Sequence, residues 1–178
     1  MRVAYGVHGY GRGHASRALA VLPELTRRHD VLLFTGRDGW TALHEDYGIQ
    51  PIEVLTYALD RNGQRLPLRT IMDNVPRLAD LHCRGPQTRR VRRAIREFGP
   101  DVIVSDSEPW THAAGRAMDI PRISFDHFAV LAYCDWPMTR AERLECDFES
   151  FAYKALMGRA DRMVVASFYC PPPRIEGL

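Results

Sequence analysis

Gly6-Val7-His8-Gly9-Tyr10-Gly11-Arg12-Gly13-His14-Ala15-Ser16-Arg17 joins two different periodicities. Before it, the run Val3 to Val7 is short and apolar with β-branched residues, which predicts a buried parallel strand. After it, Ala15, Ala18, Leu19, Leu22 and Leu25 recur at helical spacing. Strand, glycine turn and helix is the expectation. Glycine accepts positive φ and close backbone approach, so such a turn can be tight and can aim its amides at a ligand near the helix's positive end.

Working outward, Val31 to Thr35 reads as a second strand, and Asp38 as the cap of a helix whose Trp40, Leu43 and Tyr47 share a face until Gly48. Ile52 to Leu55 is the expected third strand. Pro23 predicts a kink in the first helix, and Pro76 a break in a helix carrying Leu68, Ile71, Val75, Leu78 and His82. Between these lies a polar loop, Tyr57 to Pro67. Pro86 and Gly99 bracket a helix with Arg89, Arg90, Arg92, Arg93 and Arg96 on its outer face. Val102 to Val104, Ile123 to Phe125 and Met163 to Ala166 complete the strands. Thr139 and Glu142 form a capping box ahead of a helix with an expected buried stripe of Ala141, Leu144, Phe148, Phe151 and Ala155. This alternation predicts an α/β, Rossmann-like, doubly wound parallel sheet of about six or seven strands with helices on both faces. In such sheets ligands bind beyond the carboxyl ends of the strands. His14, Thr35 to Arg37, Asp106 to Glu108 and Asp126-His127 all fall there.

The 178 residues suit one domain with a real core, and 46% hydrophobic with 26% charged residues is ordinary globular composition. A net charge of +2 makes no case for nucleic acid. No apolar run is long enough to span a membrane, and the chain enters a strand with no leader pattern, which points to the cytoplasm. The arginine helix is either a solvated face or a dock for an anionic surface, lipid headgroups or a phosphate-bearing substrate. Cys83, Cys134, Cys146 and Cys170 lack metal or disulfide spacing, and the histidines form no ligand set, so no metal is expected.

A dinucleotide fingerprint requires glycines at i, i+2 and i+5. From Gly9 the third position is His14, from Gly11 it is Ser16, and the second strand ends in Thr35-Gly36-Arg37 without a ribose-binding acid. A dinucleotide-dependent oxidoreductase is therefore disfavoured.

The stretch Gly9 to Ala20, Gly-x-Gly-x-Gly-His-x-x-Arg-Ala-Leu-Ala, followed by Arg28-His29-Asp30-Val31, resembles the start of the nucleotide-sugar glycosyltransferases with two facing Rossmann-like domains, the GT-B fold. The similarity is to the group containing the peptidoglycan N-acetylglucosamine transferase and the macrolide, glycopeptide and plant UDP-glycosyltransferases. Asp101-Val102-Ile103-Val104-Ser105-Asp106, then Met118-Asp119-Ile120-Pro121, matches a second anchor of that group. The resemblance implies that residues 1–170 form the acceptor-binding half, that residues 171–178 open the interdomain linker, and that the donor-binding half is absent. It implies an inverting glycosyltransferase, inactive as an isolated half, with no cofactor and with a UDP- or dTDP-sugar as donor. His14 would be the base and Asp106 its partner, as a catalytic pair. Gly11, Arg12, Gly13, Glu108 and His127 would contact a small-molecule or lipid-linked acceptor, with peripheral contact at a membrane as a further expectation. Many relatives carry proline two or three residues after the histidine, where this chain has Ser16-Arg17. The structural alternative is that His14 packs at the turn and Asp106 caps the next helix, in a binding module without chemistry or a subunit needing a partner.

Overall fold

The centre of the protein is strand β1 (Arg2–Val7), flanked by β2 (Asp30–Thr35) and β4 (Val102–Asp106), all parallel. This is a computed structural model, and it describes residues 1–168 and 170–174. Adding β3 (Ile49–Pro51), β5 (Arg122–Asp126) and β6 (Arg162–Val165) gives, among the described residues, one six-stranded sheet in the order β3-β2-β1-β4-β5-β6. The order runs outward both ways from β1 and β4, so the chain reverses its winding direction between them. That switch opens a crevice at the carboxyl edge.

Helices α1 (Arg12–Arg28) and α2 (Arg37–Leu43) cover one face, where Ala18, Leu22 and Leu43 pack on Tyr5, Val7 and Leu33. Alternate residues of the same strands, Ala4 and Phe34, join Ile103 on the other face under Val91 and Ile95 of α4 (Pro86–Phe98) and Trp110 of α5 (Pro109–Met118). This two-sided burial is why β1 and β2 read as continuous apolar runs. A third cluster joins α6 (Ala129–Tyr133), α7 (Arg140–Met157) and β6 through Tyr133, Tyr153, Met157 and Met163.

Several local expectations are corrected. The third strand comes earlier, at Ile49–Pro51, and Ile52 and Val54 are buried beyond its end. Helix α1 holds Pro23 inside it, as expected; the correction is at α3 (Pro67–His82), which is unbroken at Pro76. Proline removes one hydrogen bond and displaces the carbonyl four residues back, here that of the exposed Met72, which water can satisfy. Asp38 does not cap α2; its carboxylate accepts the Gly11 amide at 2.8 Å and ties the first turn to the second. The expected stripe of α7 is reversed, since Leu144, Phe148 and Phe151 are exposed while Cys146, Ser150, Tyr153 and Met157 are buried. The capping box at Thr139 and Glu142 is present. Of the expected linker, residues 175–178 lie outside the described residues.

The glycine turn is shaped by packing. A Cβ on Gly9 would collide with the backbone carbonyl of Gly36, so the turns after β1 and β2 stack backbone on backbone. Gly11, with φ of 80°, takes a conformation that favours glycine. A Cβ on Gly13 would meet nothing within 4 Å. Gly9→Ala is accordingly expected to lower unfolding free energy by about 1–3 kcal/mol in urea titration. Gly13→Ala should change it by less than about 0.5 kcal/mol, and equal effects would contradict the stacking.

His112 on α5 is 1% exposed, and its Nε2 lies 3.3 Å from an Arg122 guanidinium nitrogen, which can only donate. Burial first, then Arg122 and Arg116, push its pKa from 6.5 down to about 4. The unfolded chain therefore binds this proton first as pH falls, so stability present above pH 6.5 is lost progressively toward pH 4. The loss from this group approaches about 3 kcal/mol. In urea midpoints measured across that range, His112→Gln should flatten the slope by about one proton, and an unchanged slope would refute it.

Candidate active site

The parallel register sets Val7 of β1 opposite Asp106 of β4, and the His8 amide donates to the Asp106 carbonyl at 3.0 Å. The Asp106 side chain is thus carried to the carboxyl edge beside the first turn of α1. His14 lies in that turn and Arg17 three residues on, so both project from one helix face. They meet Asp106 together. Its Oδ1 lies 2.7 Å from His14 Nδ1, while Arg17 donates from Nε to Oδ2 at 2.8 Å and from Nη2 to Oδ1 at 2.7 Å.

That geometry fixes the imidazole's tautomer. Arg17 donates to both oxygens, which makes Asp106 an ionised acceptor with no proton to give. At 2.7 Å the hydrogen must therefore be on His14 Nδ1, and in the neutral ring Nε2 then carries the lone pair. Asp106 is wholly buried and the His14 side chain is 20% exposed, so the carboxylate sits behind the ring.

His14 lines a mostly apolar cavity of about 500 Å³. His8 and Ser107 join it at the sheet edge, Tyr10 and Tyr57 stand on one side, and Thr70 and Asn74 of α3 and Phe128, Glu149 and Tyr153 near or on α7 are among the other lining residues. Asn74 accepts from the Thr56 amide at 3.1 Å and donates to the Thr56 carbonyl at 2.7 Å, pinning the segment after β3 against α3. The His8 ring meets His14 edge-on with centroids 5.1 Å apart. Burial, reinforced by His14 and opposed by Asp106, pushes the His8 pKa down to about 4, so its ring is neutral at pH 7.

Asp126, at the end of β5, accepts from Tyr153 Oη at 2.7 Å, Ser124 Oγ at 2.9 Å and the Ala129 amide at 2.8 Å. Burial pushes its carboxyl up, against those three bonds. Tyr153 is likewise raised, by burial and then by Asp126.

The expected acceptor contacts fare differently. Glu108 is 1% exposed and caps α5, accepting the Trp110 and Thr111 amides at 2.8 Å each, and is not among the lining residues. Burial raises its carboxyl while these bonds oppose the shift. His127 is exposed, donates from Nδ1 to the Ala166 carbonyl at 2.7 Å, and is not among the lining residues. Gly11, Arg12 and Gly13 lie on the turn between the lining residues Tyr10 and His14 without lining the cavity. Arg17 is the residue that motif reading underrated. Its position three residues after His14 was the available signal.

No curated sequence matches this chain. Among solved structures, MurG of Acinetobacter baumannii superposes with a TM-score of 0.54 and 14% identity, over 93% of this chain and 41% of that one. The Arabidopsis thaliana protein UGT89C1, solved with UDP-L-rhamnose, gives 0.54 and 19% over 94% and 45%. The spinosyn rhamnosyltransferase SpnG, solved with spinosyn aglycone, gives 0.56 and 13% over 93% and 44%. At these identities the likeness is one of fold, and this chain spans less than half the length of each. The model of glycosyl transferase family 1 matches residues 1–176, nearly the whole sequence, and the chain therefore belongs to that family.

Proposed function

We propose that this chain is the acceptor-binding domain of an inverting glycosyltransferase, with His14 as its general base. The observation that carries the reading is the 2.7 Å bond from His14 Nδ1 to the buried Asp106, in a ring that lines the cavity. An acceptor hydroxyl in the cavity gives its proton to Nε2 as its oxygen attacks the sugar's anomeric carbon. The bond from that carbon to the nucleotide's phosphate oxygen breaks, and the electron pair leaves with the nucleoside diphosphate. Attack from the face opposite the leaving group inverts the configuration. Imidazole suits the task because its usual titration range lies near ambient pH. Asp106 acts through the ring, holding its tautomer and balancing charge as the proton arrives.

The donor in this reading is a UDP- or dTDP-sugar held mainly by a second domain, joined through residues 171–178. For the acceptor, the cavity favours an uncharged, largely apolar alcohol or phenol. Among the described residues neither arginine nor lysine lines it, and the arginine-rich α4 contributes nothing to its walls. A phosphate buried there would lack a countercharge. Tyr10, Tyr57 and Phe128 offer flat apolar surface to such a molecule.

The test is transfer from a UDP- or dTDP-sugar in the polypeptide that carries this domain. His14→Ala is expected to slow transfer by about 10²–10⁴-fold, and Asp106→Asn by a smaller factor, with nucleotide-sugar affinity unchanged. Transfer at the parent rate in His14→Ala would refute the assignment.

A further inference from the structure

Arg17 is neither the base nor its carboxylate partner, yet it touches both. Its Nε and Nη2 grip the two oxygens of Asp106 at 2.8 and 2.7 Å, and Nη2 also lies 3.2 Å from His14 Nδ1. The guanidinium carbon sits 5.8 Å from the centre of the Phe125 ring, and the side chain is 17% exposed. Arginine only donates, so Nη2 and the Nδ1 hydrogen are two donors converging on Asp106 Oδ1. The cation is within reach of the ring without being bonded to it.

We propose that Arg17 is a positioning residue for the base: it clamps Asp106 in the orientation that keeps the hydrogen on His14 Nδ1, and its charge opposes formation of the imidazolium. Three charges are then set against one another. With Asp106 and Arg17 paired, the neutral ring adds nothing to their balance, and proton uptake leaves the cluster with one net positive charge. Without Arg17 the same uptake would neutralise Asp106, which a poorly hydrated site favours strongly. Arg17 thereby keeps the ring from taking up a second proton in its resting state and leaves Nε2 free for the acceptor.

Among the described residues Arg17 is the cation within hydrogen-bond reach of both His14 and Asp106, while Arg65 and Arg37 lie over the rings of Tyr57 and Tyr10. His8 and Tyr5 face the cluster from β1, His8 being neutral at pH 7, and Asp126 adds negative charge from β5. Across the cavity stand Glu149 and Tyr153 of α7, His82 of α3, and Tyr10 and Tyr57, none of them an arginine or lysine. Burial works against the charge on Arg17, but Asp106 first, then Asp126 and Tyr5, outweigh it and raise its pKa, so it stays charged.

This inference rests on His14 being the base, and its test is independent of sugar transfer. In the intact chain, the Cε1 proton of His14 is followed by NMR as pH is varied. In Arg17→Met the midpoint of that titration is expected to move up by about one pH unit or more, while Arg17→Lys, which keeps the charge, should stay nearer the parent. Arg17→Gln, which keeps a donor for Asp106, reads the same upward shift if the methionine variant does not fold. A midpoint unmoved in the neutral variants would overturn the inference and leave the role of His14 standing. Undiminished transfer by His14→Ala would instead remove the base itself.

Discussion

A carboxylate placed where water does not reach must be paired, or the fold loses several kcal/mol. Asp106 is in that position at the carboxyl end of β4, wholly buried. Its partners come from a different element, the first two turns of α1, and both are needed: the fork of Arg17 supplies the charge, and His14 supplies a further hydrogen bond. The requirement joins β4 to α1 across β1 and fixes the height at which the helix begins. It also decides which face of the helix turns inward at its start.

The turn before α1 obeys a second constraint. Gly9 and Gly36 must touch through their backbones, and Asp38 must reach Gly11, so the loops after β1 and β2 form one packed layer above the sheet. Past the Gly9 contact there is open space, since a Cβ at Gly11 or at Gly13 would meet nothing within 4 Å. The cavity exists because the layer ends there and α3 and α7 stand away from it. Its floor is the edge of the sheet, and its walls are the segment pinned by Asn74 and the inner face of α7.

Much of this was legible in the residues. The apolar runs of β1, β2 and β4 and the capping signals at Pro86, Gly99 and Thr139 predict the architecture, because backbone hydrogen bonding and local sterics dominate there. The convergence of His14 and Asp106 follows from placing both after strands of one parallel sheet. Other features depend on which of several equally good local uses tertiary packing selects. Glu108 could have faced a ligand, but with Pro109 next to it the nearer need was to cap α5. Asp38 had a helix to cap and bridges two turns instead. On α7 two stripes share the helical period, and the one with the larger apolar residues, Leu144, Phe148 and Phe151, is the one left exposed. Periodicity gives a spacing; the phase comes from what lies opposite, here Tyr133 and the end of β5.

The whole account depends on which nitrogen of His14 bears the hydrogen. Resolving the two ring ¹⁵N resonances of His14 at a pH where the ring is neutral reads this directly. The account predicts a protonated Nδ1 and a bare Nε2. A ring protonated at Nε2 would leave no lone pair for an acceptor hydroxyl and would contradict it.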